Sequence, residues 1–281
     1  MTVRELTDTI EQGETLKLIS TAYTEIATAK LKKIRSLVLQ NRLFLQDLSA
    51  VFLAVKQVAT ARKIPKSIQR KSKGTISLII TSNYHFYGNV NSNLIKFFIA
   101  HPLINSGQSD LIVIGQTAIK HLKDMHFPKP FIEVSLKKDY PDFSELNLLV
   151  EKTKDYNQVL IFFAKMKTVM VQQPSIVDIT QSSYLKPTLR QAQGKEPLFI
   201  FEPELEKVLL FFESQVKNLL LAQTFLESEL SRTASRLVSM DQAQSNADDF
   251  IMENKILLNA AKRSIQNERI IETFNAIHSS E

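Results

Sequence analysis

The most constraining feature of this sequence is an apolar series near its C-terminus. Its members recur at alternating steps of four and three residues, the a/d spacing of a helix that winds against another helix. The series comprises Phe212, Val216, Leu219, Gln223, Leu226, Leu230, Thr233, Leu237, Met240, Gln244, Ala247, Ile251, Asn254, Leu258, Ala261 and Ile265. Neither proline nor glycine follows Pro203, and an unbroken helix of this span would be about 90 Å long at about 1.5 Å per residue. Such a rod indicates reach or mechanical coupling rather than the lining of a pocket.

A similar series in the N-terminal segment predicts a partner helix. Thr2 and Glu5 have the spacing of a capping box, Gly13 permits a break or bend, and the helix should end near Arg62–Pro65 because proline restricts the residue before it. The predicted seam positions, whose phase drifts near Asn41, are Ile19, Ala22, Ile26, Ala29, Lys33, Leu37, Phe44, Leu48, Val51, Val55 and Val58. Pairing the two helices is the simplest way to bury both series. We therefore predict an intramolecular antiparallel two-helix coiled coil.

The middle of the chain alternates short apolar runs with helical segments. The predicted strands are Thr75–Thr81, Asp110–Gly115, Phe131–Leu136, Gln158–Met166, Val169–Thr180 and Pro197–Phe201. The predicted helices are Asn89–His101, Thr117–Met125 and Phe143–Thr153, the last capped by Asp142 or Ser144. This alternation indicates a Rossmann-like α/β domain with a parallel or mostly parallel sheet, inserted between the two long helices. The predicted domains are residues 1–66 for the N-terminal coiled-coil helix, 67–202 for the α/β domain and 203–281 for the C-terminal coiled-coil helix.

The residue inventory excludes several classes of chemistry. The 281 residues include no cysteine, which excludes disulfides, thiolate metal sites and cysteine nucleophiles and is compatible with a reducing compartment. The N-terminus lacks the apolar core of a signal peptide, and the apolar runs are too short to span a bilayer. The glycine-rich phosphate-binding motifs and the nucleophile elbow are absent. We expect a soluble protein that is not an enzyme and has no catalytic residue, cofactor or metal site.

The net charge of +6 is concentrated in one block, between Ala29 and Gly74, where Asp47 is the only acid. Its cations are Lys30, Lys32, Lys33, Arg35, Arg42, Lys56, Arg62, Lys63, Lys66, Arg70, Lys71 and Lys73. Such a block indicates a surface for an acidic partner, which could be nucleic acid, anionic lipid or an acidic protein. The alternative is a solvated helix face without a partner.

Three further features of the sequence have simpler explanations than a metal, anion or ligand site. His121 and His126 are five residues apart, hence on different helix faces, which favours surface histidines over a metal site. The polar turn Gly88–Asn93 favours a helix start capped by Asn or Ser over an anion site. The α/β domain could bind a small ligand at the carboxyl ends of its strands, but the glycine-rich turn that such sites usually need is missing.

Three segments resemble, in order along the chain, the gamma subunit of F-type ATP synthases. Glu227–Ile251 is similar to the family pattern E-S-x-x-S-x-x-A-A-R-M-V-A-M-x-x-A-x-x-N-A-x-x-L-I. Ile19–Leu31 resembles I-T-K-A-M-x-M-V-A-A-A-K-L, and Ile80–Lys96 resembles I-x-S-D-R-G-L-C-G-G-x-N-x-x-x-I-K. The similarity covers essentially the whole chain, which is identified as a divergent or paralogous member of this family.

The resemblance implies the central-stalk rotor of a rotary ATP synthase or ATPase. In this family the terminal helices form an antiparallel coiled coil inside a ring of alpha and beta subunits, and the α/β domain lies beside the epsilon subunit on the membrane-embedded c-ring. The turning shaft couples ion flow through the membrane ring to conformational change at the catalytic sites. The expected partners are therefore the alpha, beta and epsilon subunits and the c-ring, with no nucleic acid. The expected place is the cytoplasmic face of the bacterial cell membrane, with peripheral and indirect membrane association.

The resemblance also implies candidate partner contacts. Tyr23 falls on a frequent methionine of the family's first helix, and Lys30 and Lys33 belong to the basic block, which would complement acidic loops of the beta subunits. Arg236 lies within the matched C-terminal pattern. The last two candidates, Lys262 and Arg263, fall on the family's K-A-R-Q-A, whose Arg-Gln grips a beta-subunit loop, although a lysine cannot reproduce the planar fork of arginine.

The polar members of the C-terminal series have a separate interpretation. We predict that Gln223, Thr233, Gln244 and Asn254 mark where the helix pairing loosens. The segment Ala247–Ile265 would then continue alone, near the tip inside the ring.

Three alternatives stay open at this point. The chain could be the rotor of a paralogous ATP-hydrolysing motor. It could be a basic coiled-coil protein that binds nucleic acid with steep salt dependence. It could also be an enzyme built on the α/β domain, in which case the isolated Lys73–Glu202 segment should bind a ligand.

Overall fold

The computed structural model describes residues 2–61, 73–180 and 204–278. In chain order, the described elements are α1 (Val3–Ala61), β1 (Lys73–Ile80), α2 (Val90–Ala100), α3 (Pro102–Asn105), β2 (Ser109–Ile114), α4 (Gln116–Asp124), β3 (Ile132–Val134), α5 (Phe143–Thr153), β4 (Tyr156–Met166), β5 (Gln172–Asp178) and α6 (Leu205–His278). The predicted strand Pro197–Phe201 and the predicted helix end at Arg62–Pro65 lie outside the described residues.

The chain divides into two compact units. One unit comprises Met1–Ala29 and Arg236–Glu281, and the other comprises Lys30–Ser235. We call them the terminal unit and the central unit. Parts of α1 and α6 belong to each.

The sheet of the central unit has the strand order β3-β2-β1-β4-β5. β1 pairs in parallel with β2 and β4, and β2 pairs in parallel with β3. Among the strands of the described residues, β5 alone is antiparallel, because a short turn returns the chain directly from β4. The predicted Rossmann-like α/β domain is therefore confirmed. The four-residue helix α3 was not predicted, since it is too short to show a helical period.

Helices cover both faces of this sheet. α2, α3 and α4 pack on one face, around Phe98 and Phe162, whose rings meet edge to face at 4.9 Å between centroids. On the other face, Leu149 of α5 and Leu221 and Phe225 of α6 pack against β1, β2 and β4. α6 is thus part of the α/β core as well as half of a helix pair, which explains why Ser228–Ser235 is buried on every side.

The two long helices pair antiparallel within the central unit. Ile34 and Val38 of α1 pack with Leu226 and Leu230 of α6. Farther along α1, Phe52 packs with Val216 and Phe212, and Val55 and Ala59 pack with Leu205. As the residue numbers increase along α1, those of the contacting residues on α6 decrease, as an antiparallel pair requires.

The helices also pair antiparallel within the terminal unit. Lys17 forms an ion pair with Asp248 at 2.6 Å, and Glu14 forms one with Lys255 at 3.4 Å. α1 continues as helix through Gly13, so the break that this glycine would permit does not occur. A Cβ at Gly13 would lie 2.9 Å from Ile251 Cγ1, and the glycine instead permits a close approach of α6.

The two starting caps are as predicted. Thr2 and Glu5 exchange hydrogen bonds between side chain and backbone N–H at 2.8 and 3.2 Å. At α5, Asp142 is the N-cap and forms a capping box with Glu145. Each capping box provides side-chain acceptors for two backbone N–H groups that have no hydrogen-bond partner within the helix.

The predicted seam of α1 is wrong by one residue over most of its length. Ile19, Ile26, Leu37, Phe44 and Val51 are exposed. The buried positions lie one residue later or close by, at Ser20, Ala27, Ile34, Val38, Leu45 and Phe52. Both sets repeat every seven residues, so spacing alone could not choose between two adjacent helix faces.

The polar members of the α6 series do not mark a loosened pairing. Gln223 is buried and accepts a hydrogen bond from Asn41 Nδ2 of α1 at 2.7 Å. Asn254 is buried as well and donates to the Phe250 carbonyl at 2.8 Å. Ala247 and Ile251 are buried within the terminal unit, so the helix does not continue alone from Ala247. The helix face becomes exposed only beyond Ala261.

Candidate functional site

The carboxyl edge of the sheet, where open α/β sheets often bind ligands, is filled by polar groups of the chain itself. The amides of residues 116–118, at the start of α4, donate to Asn83 Oδ1, the Ser82 carbonyl and Thr81 Oγ1 at 3.1, 3.0 and 3.2 Å. Gly115 has a φ of +100°, and a Cβ there would lie 2.6 Å from the Thr81 carbonyl oxygen. Glycine therefore permits this close packing. Because residues of the loop after β1 satisfy these donors, this part of the edge gives no support to a small-ligand site.

Asn89 occupies the N-cap position of α2, as predicted, but its side chain makes no hydrogen bond to the helix. Its neighbour Asn91, which is buried, donates instead to Ser82 Oγ at 2.7 Å. The asparagine amide is thus used to fasten α2 to the end of β1.

A buried polar network joins α6 to α1 and to the α/β domain. Arg232, which is buried, donates from Nη1 to Ser228 Oγ at 2.7 Å and from Nη2 to Glu229 Oε2 at 2.8 Å. Nη2 also donates to the backbone carbonyl of Asp139, in the loop after β3, at 3.1 Å. Glu229 accepts a further hydrogen bond from Lys30 of α1. One arginine therefore links all three parts of the central unit.

Asp139 organises the domain side of this network. Its carboxylate accepts hydrogen bonds from the Tyr87 hydroxyl at 2.5 Å and from the Asn83 backbone N–H at 2.7 Å. Ser235 of α6 donates to the Tyr87 carbonyl at 2.8 Å, which is a second link between α6 and the loops. The buried carboxylate oxygens of Asp139 thus both accept hydrogen bonds, as buried polar groups require. The ion pairs of the network are those of Glu229 with Arg232 and Lys30.

The protonation of Glu229 follows from its neighbours. Burial on its own would raise the pKa of this carboxyl group, but the positive charges of Arg232 and Lys30, and their hydrogen bonds, outweigh burial and hold the pKa below the usual 4.5. Glu229 is therefore a carboxylate at neutral pH, as its two cationic partners require.

Sequence reasoning missed Arg232, Glu229 and Asp139. A signal for part of the network is nevertheless present in α6, as a second series with steps of four and three on a different face from the seam. Its members are Leu221, Phe225, Ser228, Arg232 and Ser235. The first two contact the sheet and the last three form the network. No comparable sequence pattern predicts the role of Asp139, because this residue lies in a loop, where side chains do not follow a helical period.

Two predicted partner-contact residues contact each other in the terminal unit. The guanidinium carbon of Arg236 lies 5.7 Å from the centroid of the Tyr23 ring, a cation–π contact. Both side chains are half-buried. Their contact joins α1 to α6 in addition to any role toward a partner.

Lys30 and Lys33 differ in their surroundings although they lie on the same helix. Lys30 forms an ion pair with Glu229. Lys33 is exposed and lines a groove of about 790 Å³ between α1 and the loops after β1 and β3. The exposed apolar side chains of this groove are Leu37, Phe44, Tyr84 and Tyr140.

Lys262 and Arg263 are exposed on α6 in the terminal unit. No ion pair of either residue with another part of the described chain is present. Their charges therefore face solvent in the isolated chain.

Within residues 2–61, 73–180 and 204–278, no three His, Asp or Glu side chains are grouped so that they could hold a metal ion. None of the helices in these ranges has a stretch both long and apolar enough to cross a membrane.

Comparison with protein families gives a match over nearly the whole chain. The family described as ATP synthase matches residues 2–276. The ATP synthase gamma chain of Staphylococcus saprophyticus is 25% identical over 283 aligned positions, which cover 96% of each chain. The ATP synthase gamma chain of Pelotomaculum thermopropionicum is 22% identical, again with 96% of each chain covered.

Solved structures show a similar fold. A chain of the Tetrahymena thermophila mitochondrial ATP synthase central stalk and c-ring structure superposes with a TM-score of 0.60, at 20% identity, covering 80% of this chain and 99% of that one. A chain of the Euglena gracilis mitochondrial ATP synthase structure, which contains OSCP, F1 and the c-ring, gives 0.56 at 15% identity, covering 90% of this chain and 95% of that one.

Proposed function

The chain belongs to the gamma-chain family of F-type ATP synthases, the non-catalytic central stalk, and from this premise we propose that it is a rotor. It couples ion flow through a membrane-embedded ring to conformational change at the catalytic sites of an alpha/beta hexamer. The beta subunits of the complex carry out the catalysis, so this chain needs no catalytic residue of its own.

The observation that carries the proposal is the antiparallel helix pair. A shaft under torque must resist bending and the slip of one helix past the other. α6 contains neither proline nor glycine, and the seam combines apolar packing with ion pairs between the helices in each unit. Such a pair is stiffer than either helix alone, because each helix restrains the other along its length.

The partners we propose are the alpha and beta subunits, the epsilon subunit and the c-ring. The similar Tetrahymena chain comes from a structure of a central stalk with its c-ring, and the Euglena chain comes from one that includes F1 and the c-ring. By analogy, the helix pair lies inside the hexamer and the α/β domain lies toward the c-ring. This would place the chain at the periphery of the membrane, on the cytoplasmic face if the source is bacterial.

The surface toward the hexamer is proposed to use weak contacts. Tyr23, Arg236, Lys30 and Lys33 remain partner-contact candidates, although the first three also make contacts within the chain. Exposed charge pairs contribute about 0–1 kcal/mol each. Contacts of this strength can be broken and remade as the shaft turns.

The experiment that tests the function is assembly followed by rotation. We expect the full chain to assemble with alpha and beta subunits and to rotate during ATP hydrolysis. Replacing Lys262 and Arg263 together by alanine should leave helix content and assembly unchanged and should slow ATP-driven rotation by roughly two- to tenfold, because exposed contacts to a partner are lost.

A matched control replaces the neighbouring exposed Gln266 and Asn267 by alanine, which should have little effect. Failure of the unaltered chain to assemble or rotate would refute the rotor assignment. Unchanged rotation of the Lys262 and Arg263 variant would refute only the contact role of these two residues.

A further inference from the structure

α6 contacts the α/β domain through two kinds of interaction with different mechanical properties. Leu221 and Phe225 pack on the sheet, and apolar burial of this kind is not directional. It resists separation of the helix from the sheet more than rotation of the helix about its own axis. About two turns beyond Phe225, the contacts become directional, since Arg232 and Ser235 donate hydrogen bonds to backbone carbonyls of the domain loops.

These two hydrogen bonds act at adjacent points of the domain. Arg232 reaches the carbonyl of Asp139, and Ser235 reaches the carbonyl of Tyr87. The Tyr87 hydroxyl donates to the Asp139 carboxylate, so the two loops are tied to each other where α6 touches them. Rotation of α6 relative to the domain would therefore break both bonds together, and hydrogen bonds weaken steeply as their angle departs from linear.

The arginine is itself fixed from three sides. Ser228 and Glu229 hold its guanidinium group on α6, and Lys30 of α1 holds Glu229 in turn. A planar guanidinium group with several fixed acceptors has little freedom left to follow a moving loop. The two long helices and the domain thus meet in one interlocked set of bonds.

We propose that Arg232, with Ser235 and the loop residues Tyr87 and Asp139, is the torsional joint that locks the α/β domain to the helix pair. Arg232 is a positioning residue in this role and contacts no reacting group. The inference rests on the proposed rotor function: torque that enters through the α/β domain passes to the shaft through this joint.

The joint can be tested in the isolated full-length chain, without any partner. The chain has no cysteine, so cysteines introduced at exposed Asp124 on α4 and Ser36 on α1 are unique sites for spin labels. Pulsed electron paramagnetic resonance then gives the distribution of distances between the domain and the helix pair. Arg232→Met should broaden this distribution, with about twice the variance, because one of two parallel links is removed.

A second variant separates this effect from instability. Arg232→Met alone leaves Glu229 buried with a single partner and could fail to fold. Arg232→Met combined with Glu229→Gln removes one charge of each sign, so the fold should survive while the link to Asp139 is still lost. Arg232→Lys should give an intermediate width, because an ammonium group cannot reach all three acceptors at once.

In the assembled complex, a probe attached at Asp124→Cys should show a similar rise, about twofold, in angular variance during catalytic pauses. Lys207→Met, which removes an exposed ion pair at the start of α6, is the control and should change neither measurement. A double variant that folds and keeps the unaltered distance distribution would overturn the joint. A broadened distribution in a chain that does not rotate with its partners would instead refute the rotor function and leave the joint standing.

Discussion

The hydrogen bond between Asn41 and Gln223 allows a prediction in which a single and a double substitution have opposite effects. Asn41 Nδ2 donates to Gln223 Oε1 at 2.7 Å, and Gln223 Nε2 donates to Glu227 at 2.8 Å. Gln223 is only 7% exposed. This polar pair lies between apolar contacts on both sides along the helix seam. We infer that it fixes the register of the two helices and reduces their stability, as buried polar pairs do in coiled coils.

Asn41→Leu should destabilise the chain. It leaves Gln223 Oε1 buried without a donor, which costs about 1–3 kcal/mol. Burial of the leucine side chain at this half-buried position stabilises the chain by up to about 1 kcal/mol. The net loss should therefore be about 1 kcal/mol, and Gln40→Leu, one residue away and exposed, should stay within about 0.5 kcal/mol of the unaltered chain.

The double replacement of Asn41 and Gln223 by leucine should restore or exceed the original stability, because both polar groups are then absent. The measurement is urea unfolding of the full chain followed by circular dichroism, with midpoint and slope fitted separately. A double variant that loses the sum of the two single effects would refute this reasoning. It would show instead that the polar pair stabilises the helix seam.

Two further predictions concern the same helices. Glu229→Gln should make the free energy of unfolding less dependent on pH in the acid range. The pKa of the Glu229 carboxyl group is depressed in the folded chain, so its stabilising contribution is complete above pH 4.5 and is lost as the pH falls below it. Unfolding at several pH values measures this, and parallel curves for the variant and the unaltered chain would contradict it. Val38→Asp should lower the free energy of unfolding by more than about 3 kcal/mol, because Val38 is 2% exposed. Leu37→Asp, at a position that is 41% exposed, should leave thermal unfolding nearly unchanged. Equal losses of stability in the two variants would contradict the assignment of the buried face of α1.

The α/β domain was predictable because its local signals agree with one another. Buried runs such as Leu111–Ile114 are bounded by turn residues and alternate with helical segments. Parallel pairing then follows from the alternation itself. The capping box of α5 was predictable for the same reason, since Asp142 and Glu145 have the required spacing.

The face that α1 buries was not predictable in this way. Ile34 and Leu37 are both apolar and both belong to series with a period of seven, but only Ile34 is buried. The choice depends on which face α6 meets, and this is fixed by contacts between residues nearly two hundred positions apart. Because apolar residues occur on two adjacent faces of α1, the local sequence gives no reason to prefer one face as the buried one.

α6 shows why a single a/d series could not describe this molecule. One face, with Leu226 and Leu230, meets α1. A second face, with Leu221, Phe225 and Arg232, meets the α/β domain. An interruption of the helix would change the angle between these two faces, and the seam and the joint could then not form together. Between Leu221 and Ser235, where α6 forms both interfaces, the absence of proline and glycine is therefore required by their geometry, in addition to the stiffness of a long helix.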